Sequence, residues 1–253
     1  MKVYSLIFAG IILFMMIYFS YNPKPKPIYC VDRSRKFTVT IRNMSNETTL
    51  EGGEKLTGIA MRNVPLSEGP WVVFPAGKGS VFTVGQPASN GLERLVEDGL
   101  SAILLNDLNN SSWVSSTGKF ISEGKRDDDP VIKMGESSTF NITAKPGDKL
   151  QIVSMFEQSN DWFYSFKDGG LSLFNGDVPI SGDVTSMLQL YDAGTESDEP
   201  LGLGTTQKTD QGAFDINIGI EDSINKVMPA NGRHLKYRIP ANVDVIRVTV
   251  KPQ

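Results

Sequence analysis

Apolar and polar residues alternate along most of this chain. In residues 36–43 (KFTVTIRN), Phe37, Val39 and Ile41 fall on one side of an extended segment, and Thr38, Thr40 and Arg42 on the other. That two-residue period is the mark of a half-buried strand. Residues 138–144 (STFNITA) repeat it and run into Lys145-Pro146-Gly147-Asp148, a strong turn signal. KLQIVSMF, DWFYSF, LSLF, TSMLQLY and VDVIRVTV continue the series. Short strands separated by Gly, Pro, Asn and Asp clusters predict an all-β chain folded as an antiparallel β-sandwich.

One segment changes period. Between residues 90 and 108 the apolar positions are Leu92, Leu95, Val96, Leu100, Ile103, Leu104 and Leu108, which is helical spacing. Asn90 is in place to cap this helical insertion, with Glu93 at capping-box distance. Gly99 is expected to bend or divide it, and its role is packing. Residues 109–120 and 124–130 read as loops. In the second, Asp127, Asp128 and Asp129 form a charge run, whose ordinary meaning is a solvated face, with metal binding the subordinate reading.

The N-terminus has neither period. Residues 3–21 are uncharged and almost wholly apolar. At about 1.5 Å per helical residue they suffice for a hydrocarbon core of roughly 30 Å. No small-residue cleavage site ends the segment, so residues 1–21 read as a signal peptide or signal anchor. Residues 22–35 are a Pro/Lys-rich linker containing NPKPKP, a stiff spacer, and residues 36–253 form the body. Lys2 precedes the apolar segment, while Lys24, Lys26, Arg33, Arg35 and Lys36 follow it. Taken alone, that asymmetry would leave the body in the cytoplasm. The expectation is nonetheless export to a secreted, periplasmic or cell-surface location, with membrane anchoring through residues 3–21 if they are retained.

Composition narrows the chemistry. With 40% hydrophobic and 21% charged residues, the 253-residue chain can build a real core. A formal net charge of −4 offers no basic surface for nucleic acid. The one cysteine, Cys30, and one histidine, His234, exclude Cys-cluster zinc sites and multi-His centres within one chain. A Ser-His-Asp triad would have to use His234, and no Gly-x-Ser-x-Gly elbow accompanies it.

Carboxylates supply the remaining candidate. Residues 188–197 (LQLYDAGTES) start as a strand and end in Asp192 and Glu196, divided by small, turn-tolerant residues. Calcium takes about six to eight oxygen ligands, so a third acid should come from a neighbouring loop. Asp161 in QSNDWFY (residues 158–164) is the best placed, being far enough from Asp192 for two intervening strands. The plain alternative, in which Asp161 caps a turn and Trp162 and Phe163 fill the core, stands beside it.

IVSMFEQSNDWFYSF, GDVTSMLQLYDAGTE and VFTVGQPASNGLERLVEDG together resemble the spondin N-terminal domain family in its bacterial form. Its animal members, F-spondin and mindin, carry a similar Asp-Trp-Phe and Asp-Ala-Gly-Thr-acid pair. The likeness spans roughly residues 37–250. It implies an extracellular β-sandwich with calcium held at one end by Asp161, Asp192 and Glu196. Two positions depart from the animal pattern. Ser159-Asn160 replaces Ser-Pro, which implies a less rigid loop, and Glu196 replaces Asp. The cysteines and thrombospondin repeats of the animal proteins have no counterpart, so their matrix roles do not transfer. The expected function is a calcium-binding recognition or adhesion module, not an enzyme, whose ligand is an extracellular protein or glycan. A calcium-assisted secreted hydrolase and a peripheral lipid-binding domain are the alternatives.

Overall fold

Strand β1 (Arg35–Asn43) follows the alternation of its sequence, with Phe37, Val39 and Ile41 buried. The structure, a computed structural model, describes residues 32–50, 64–126, 129–167, 169–212, 216–233 and 238–253. The apolar segment 3–21, Cys30, Asp127, Asp128 and His234 lie outside these residues.

After β1 come β2 (Gly69–Pro75), helices α1 (Asn90–Asp98) and α2 (Ala102–Asn109), and β3 (Ser116–Phe120). Next are β4 (Ser137–Ala144), β5 (Asp148–Ile152), β6 (Ser154–Met155) and β7 (Trp162–Phe166). Four two-residue strands follow: β8 (Leu171–Ser172), β9 (Phe174–Asn175), β10 (Val178–Pro179) and β11 (Gly182–Asp183). The chain finishes with β12 (Leu188–Asp192), β13 (Met228–Pro229), the single turn α3 (Asn242–Val245) and β14 (Ile246–Pro252). Every strand pairing among the described residues is antiparallel. With 34% strand against 15% helix, the chain is all-β in class.

The strands form sheets in the orders β11-β14-β1-β4, β13-β12-β7-β6 and β3-β2-β5-β8, with β9 and β10 as a separate ribbon. Val39 of β1 lies opposite Val250 on one side and Phe140 on the other. These residues join Phe37, Ile41, Ile142, Ile246 and Val248 in one core cluster. Trp162, Tyr164 and Phe166 of β7 belong to the same cluster. Phe163, between them, packs in a second cluster with Tyr191, Leu92, Leu95 and Val96. Strand β7 is therefore buried on both faces, which explains why its sequence, WFYSF, lacks polar alternation apart from the small Ser165.

Several expectations need adjusting, though the division at Gly99 is as expected: the helical insertion is two helices parted there, where a φ of 70° suits a residue without Cβ. Its cap is Ser89, which accepts from the Leu92 amide, rather than Asn90. The segment KLQIVSMF splits at Val153: β5 pairs with β2, and β6 with β7. Strand β3 lies within residues 109–120, which the sequence marked as loop. Residues 242–245 are a helical turn, so β14 starts at Ile246.

Candidate functional site

Register brings the two acidic motifs together. Strands β7 and β12 pair from Leu188↔Phe166 to Asp192↔Trp162. The beginning of β7 thus lies beside the end of β12, and the Ala193 amide extends the ladder by donating to the Asp161 carbonyl at 3.2 Å. Asp161 and Asp192 emerge at the same end of the sheet, and both are buried.

Asp161 organises the turn that follows β12. Its Oδ2 accepts from the Thr195 amide (2.7 Å), the Thr195 hydroxyl (3.1 Å) and the Glu196 amide (3.0 Å). Asp192 Oδ1 accepts from the Gly194 amide at 2.6 Å, closing an Asx turn. Gly194 has a φ of 67°, and a Cβ there would meet the Lys226 carbonyl oxygen at 2.5 Å. Glu196 reaches across to residues 216–224, where its Oε1 accepts from the Gly219 amide at 3.0 Å. A Cβ on Gly219 would lie 2.2 Å from Glu196 Cδ, so glycine makes the cradle for that carboxylate.

Each of the three acids spends one oxygen on backbone amides. The others, Asp161 Oδ1, Asp192 Oδ2 and Glu196 Oε2, are buried and accept no hydrogen bond among the described residues. Glu97 of α1, which the sequence assigned to packing alone, adds a fourth such oxygen, Oε2. Burial raises the pKa of all four. Glu97 is pushed up to about 8, with Glu196 and Asp161 adding to the rise, and Glu196 to about 7. Asp161 and Asp192 also move upward, the latter further through repulsion by Asp161 and Asp198. Buried, mutually repelling carboxylates need protons or a cation.

Arg233 provides one positive charge. Strand β13 pairs with β12 at Tyr191 and Asp192, and the turn Ala230–Gly232 then leads to Arg233. Its Nε lies 2.9 Å from Asp192 Oδ2, within ion-pair distance though without hydrogen-bond geometry. Its Nη2 lies 2.7 Å from Asp198 Oδ2 and 2.5 Å from Asp222 Oδ2. Trp162 Nε1 donates to the other oxygen of Asp198 at 2.7 Å. Among the described residues, no group of three or more His, Cys, Asp or Glu side chains is arranged as a ready metal-ligand set.

The sequence missed Glu97, Arg233 and Gly219. Glu97 carried a signal: Glu97 and Asp98 end α1 with no basic residue in its last turn, where the helix dipole disfavours negative charge. Arg233 carried none, because only the pairing of β12 with β13 delivers it. Asn160 ties the loop that carries Asp161. Its Oδ1 accepts from the Glu199 amide (2.9 Å), and its Nδ2 donates to Glu199 Oε2 and Thr206 Oγ1. Asp129 stands apart, paired with Lys125 at 3.0 Å and Lys133 at 3.1 Å.

A row of isoleucines borders the cluster. Ile216, Ile218, Ile220 and Ile224 are exposed, Ile220 at 76%. The Ile220 carbonyl accepts from the Ser197 amide at 2.6 Å, which holds the row against the acidic turn. This apolar edge was not evident in the sequence. Among the described residues no helix is long and apolar enough to cross a membrane. No protein-family model matches the chain, and no curated protein matches it.

Proposed function

We propose that the protein is an exported, calcium-binding recognition or adhesion module of the spondin type, built as a β-sandwich. One observation carries this reading: four buried carboxylate oxygens, on Glu97, Asp161, Asp192 and Glu196, lack donors at one sheet end. Oxygen donors of this kind suit a hard divalent cation. Asp161, Asp192 and Glu196 would hold it, with Glu97 beside them. Calcium would supply charge neutralisation that draws the turn after β12 and residues 216–224 together, and an open coordination position for a ligand's carboxylate, phosphate or hydroxyl. The resemblance of the two acidic motifs to the spondin family supports the extracellular setting and an extracellular protein or glycan as ligand.

Calcium should raise the thermal midpoint. At a calcium concentration a hundredfold above Kd, the stabilisation would be about 2.7 kcal/mol, a shift of roughly 5–10 °C for a chain of this size. Asp161→Asn, Asp192→Asn and Glu196→Gln should each shrink that shift. A full calcium response in all three variants would remove the assignment. His234→Ala should leave binding intact, whereas a turnover reaction that needs His234 would favour the hydrolase.

The exposed isoleucine row favours one second reading, a peripheral lipid-binding domain. Co-sedimentation with vesicles, with and without calcium, tests it: loss of binding on Ile220→Ser would favour lipid, and no sedimentation would dismiss it.

A further inference from the structure

We infer that Arg233 is a tethered competitor of the metal ion: its guanidinium occupies the Asp192 carboxylate in calcium's place, so calcium binds by displacing it. The inference rests on the calcium reading of the acidic cluster and concerns a residue outside the proposed ligand set.

Three observations carry it. The first is which oxygen is contested. Asp192 Oδ1 is committed to the Gly194 amide, so Oδ2 is the atom left for a metal, and Arg233 Nε stands 2.9 Å from it. An arginine nitrogen and a calcium ion cannot share that approach, because both are cationic and the site is enclosed. The second is the residual deficit. Asp161 Oδ1, Glu196 Oε2 and Glu97 Oε2 accept no hydrogen bond from the guanidinium, and Arg233 Nη1 is itself buried without a hydrogen-bond partner among the described residues. One charge, held at one edge, leaves the cluster incompletely served. The third is that displacement has somewhere to go. Arg233 Nε donates to Asp198 Oδ2 at 2.7 Å and Nη2 to Asp222 Oδ2 at 2.5 Å, while Asp192 is held by charge alone, so the fork can swing from Asp192 about partners it already has. Arginine suits this role because it stays charged at any working pH and spreads its donors over a rigid fork.

The tether sets the competition. Strand β13 is held to β12 through Met228↔Asp192 and Pro229↔Tyr191, and the Arg233 amide donates to the Ala230 carbonyl at 3.1 Å. Four residues therefore separate a fixed ladder position from the guanidinium, which keeps its effective concentration at the site high.

The test is calcium titration of the full chain by calorimetry, followed in parallel by tryptophan fluorescence, since Trp162 donates to Asp198 beside the arginine. Arg233→Gln should bind calcium at least tenfold more tightly than the parent, and Arg233→Lys, which keeps the charge without the fork, should fall between. In chelator Arg233→Gln should melt below the parent, and saturating calcium should close most of that gap. If Arg233→Gln folds only with calcium, the inference is supported in its strongest form. Binding by Arg233→Gln but not by the parent would also support it. Equal affinities in parent and Arg233→Gln would overturn it while leaving the calcium site standing, as would weaker binding by Arg233→Gln. If no chain binds calcium, both readings fall. Asp161→Asn serves as control for calcium bound elsewhere.

Discussion

Glu157 shows how one buried side chain can set the pH response of the protein. It is almost fully buried, and desolvation pushes its carboxyl up to about 7, against the opposing pull of Lys208 and Lys133. In the unfolded chain the same group ionises near 4.5. Between these values the unfolded state releases its proton first, so stability falls as pH rises from 4.5 to 7 and the loss is complete above 7. Glu157→Gln removes the ionisation. The variant should be more stable than the parent at pH 8, by on the order of 3 kcal/mol, with the advantage vanishing near pH 4. Urea melts at the two pH values measure it, and an equal difference at both would refute the burial account.

At the scale of elements, helix α1 joins the core to the acidic cluster. Leu92, Leu95 and Val96 face Phe163 and Tyr191, and Glu97 faces the carboxylates. Its first turn hangs on the Ser89 hydroxyl, which accepts from the Leu92 amide at 3.2 Å. Ser89→Ala should cost about 1 kcal/mol and, by loosening the helix that carries Glu97, should also reduce the calcium-induced thermal shift. A melting comparison with and without chelator separates the two effects.

Legibility at this scale followed the locality of the cause. Strands β1 and β4 were readable because each buries a single face, and the alternation records it. The division at Gly99 was readable because a left-handed residue ends a helix wherever it occurs. The split of KLQIVSMF was not, since it arises where Val153 donates to the Pro70 carbonyl as the chain passes from β2 to β7. Of the site, Asp161, Asp192 and Glu196 stood out as acids at strand ends, and register unites Asp161 with Asp192. Arg233 depends on a pairing between segments distant in sequence, which no local pattern encodes.

At the scale of the molecule, β1 is the central partner of its sheet. It is hydrogen-bonded to β4 on one side and to β14 on the other. Beyond the ladder, the Gln253 amide donates to the Lys36 carbonyl at 2.8 Å, and its side-chain amide donates to Thr38 Oγ1, 215 residues away in sequence. A synthesis timetable follows from that adjacency. When β1 leaves the ribosome its partner is not yet made, and at about 5–20 residues per second the wait is on the order of ten seconds or more. During that interval Phe37, Val39 and Ile41 lack the strand that pairs with them on one side. A nascent chain stalled before Ile246 should therefore be cut readily by protease near β1 while the completed chain resists, and equal resistance in both would show that β14 is dispensable. Closure between such distant strands also makes refolding slow, on the scale of milliseconds to seconds or longer. The chain is thus unfinished business for any chaperone or export machinery that meets it before β14 emerges.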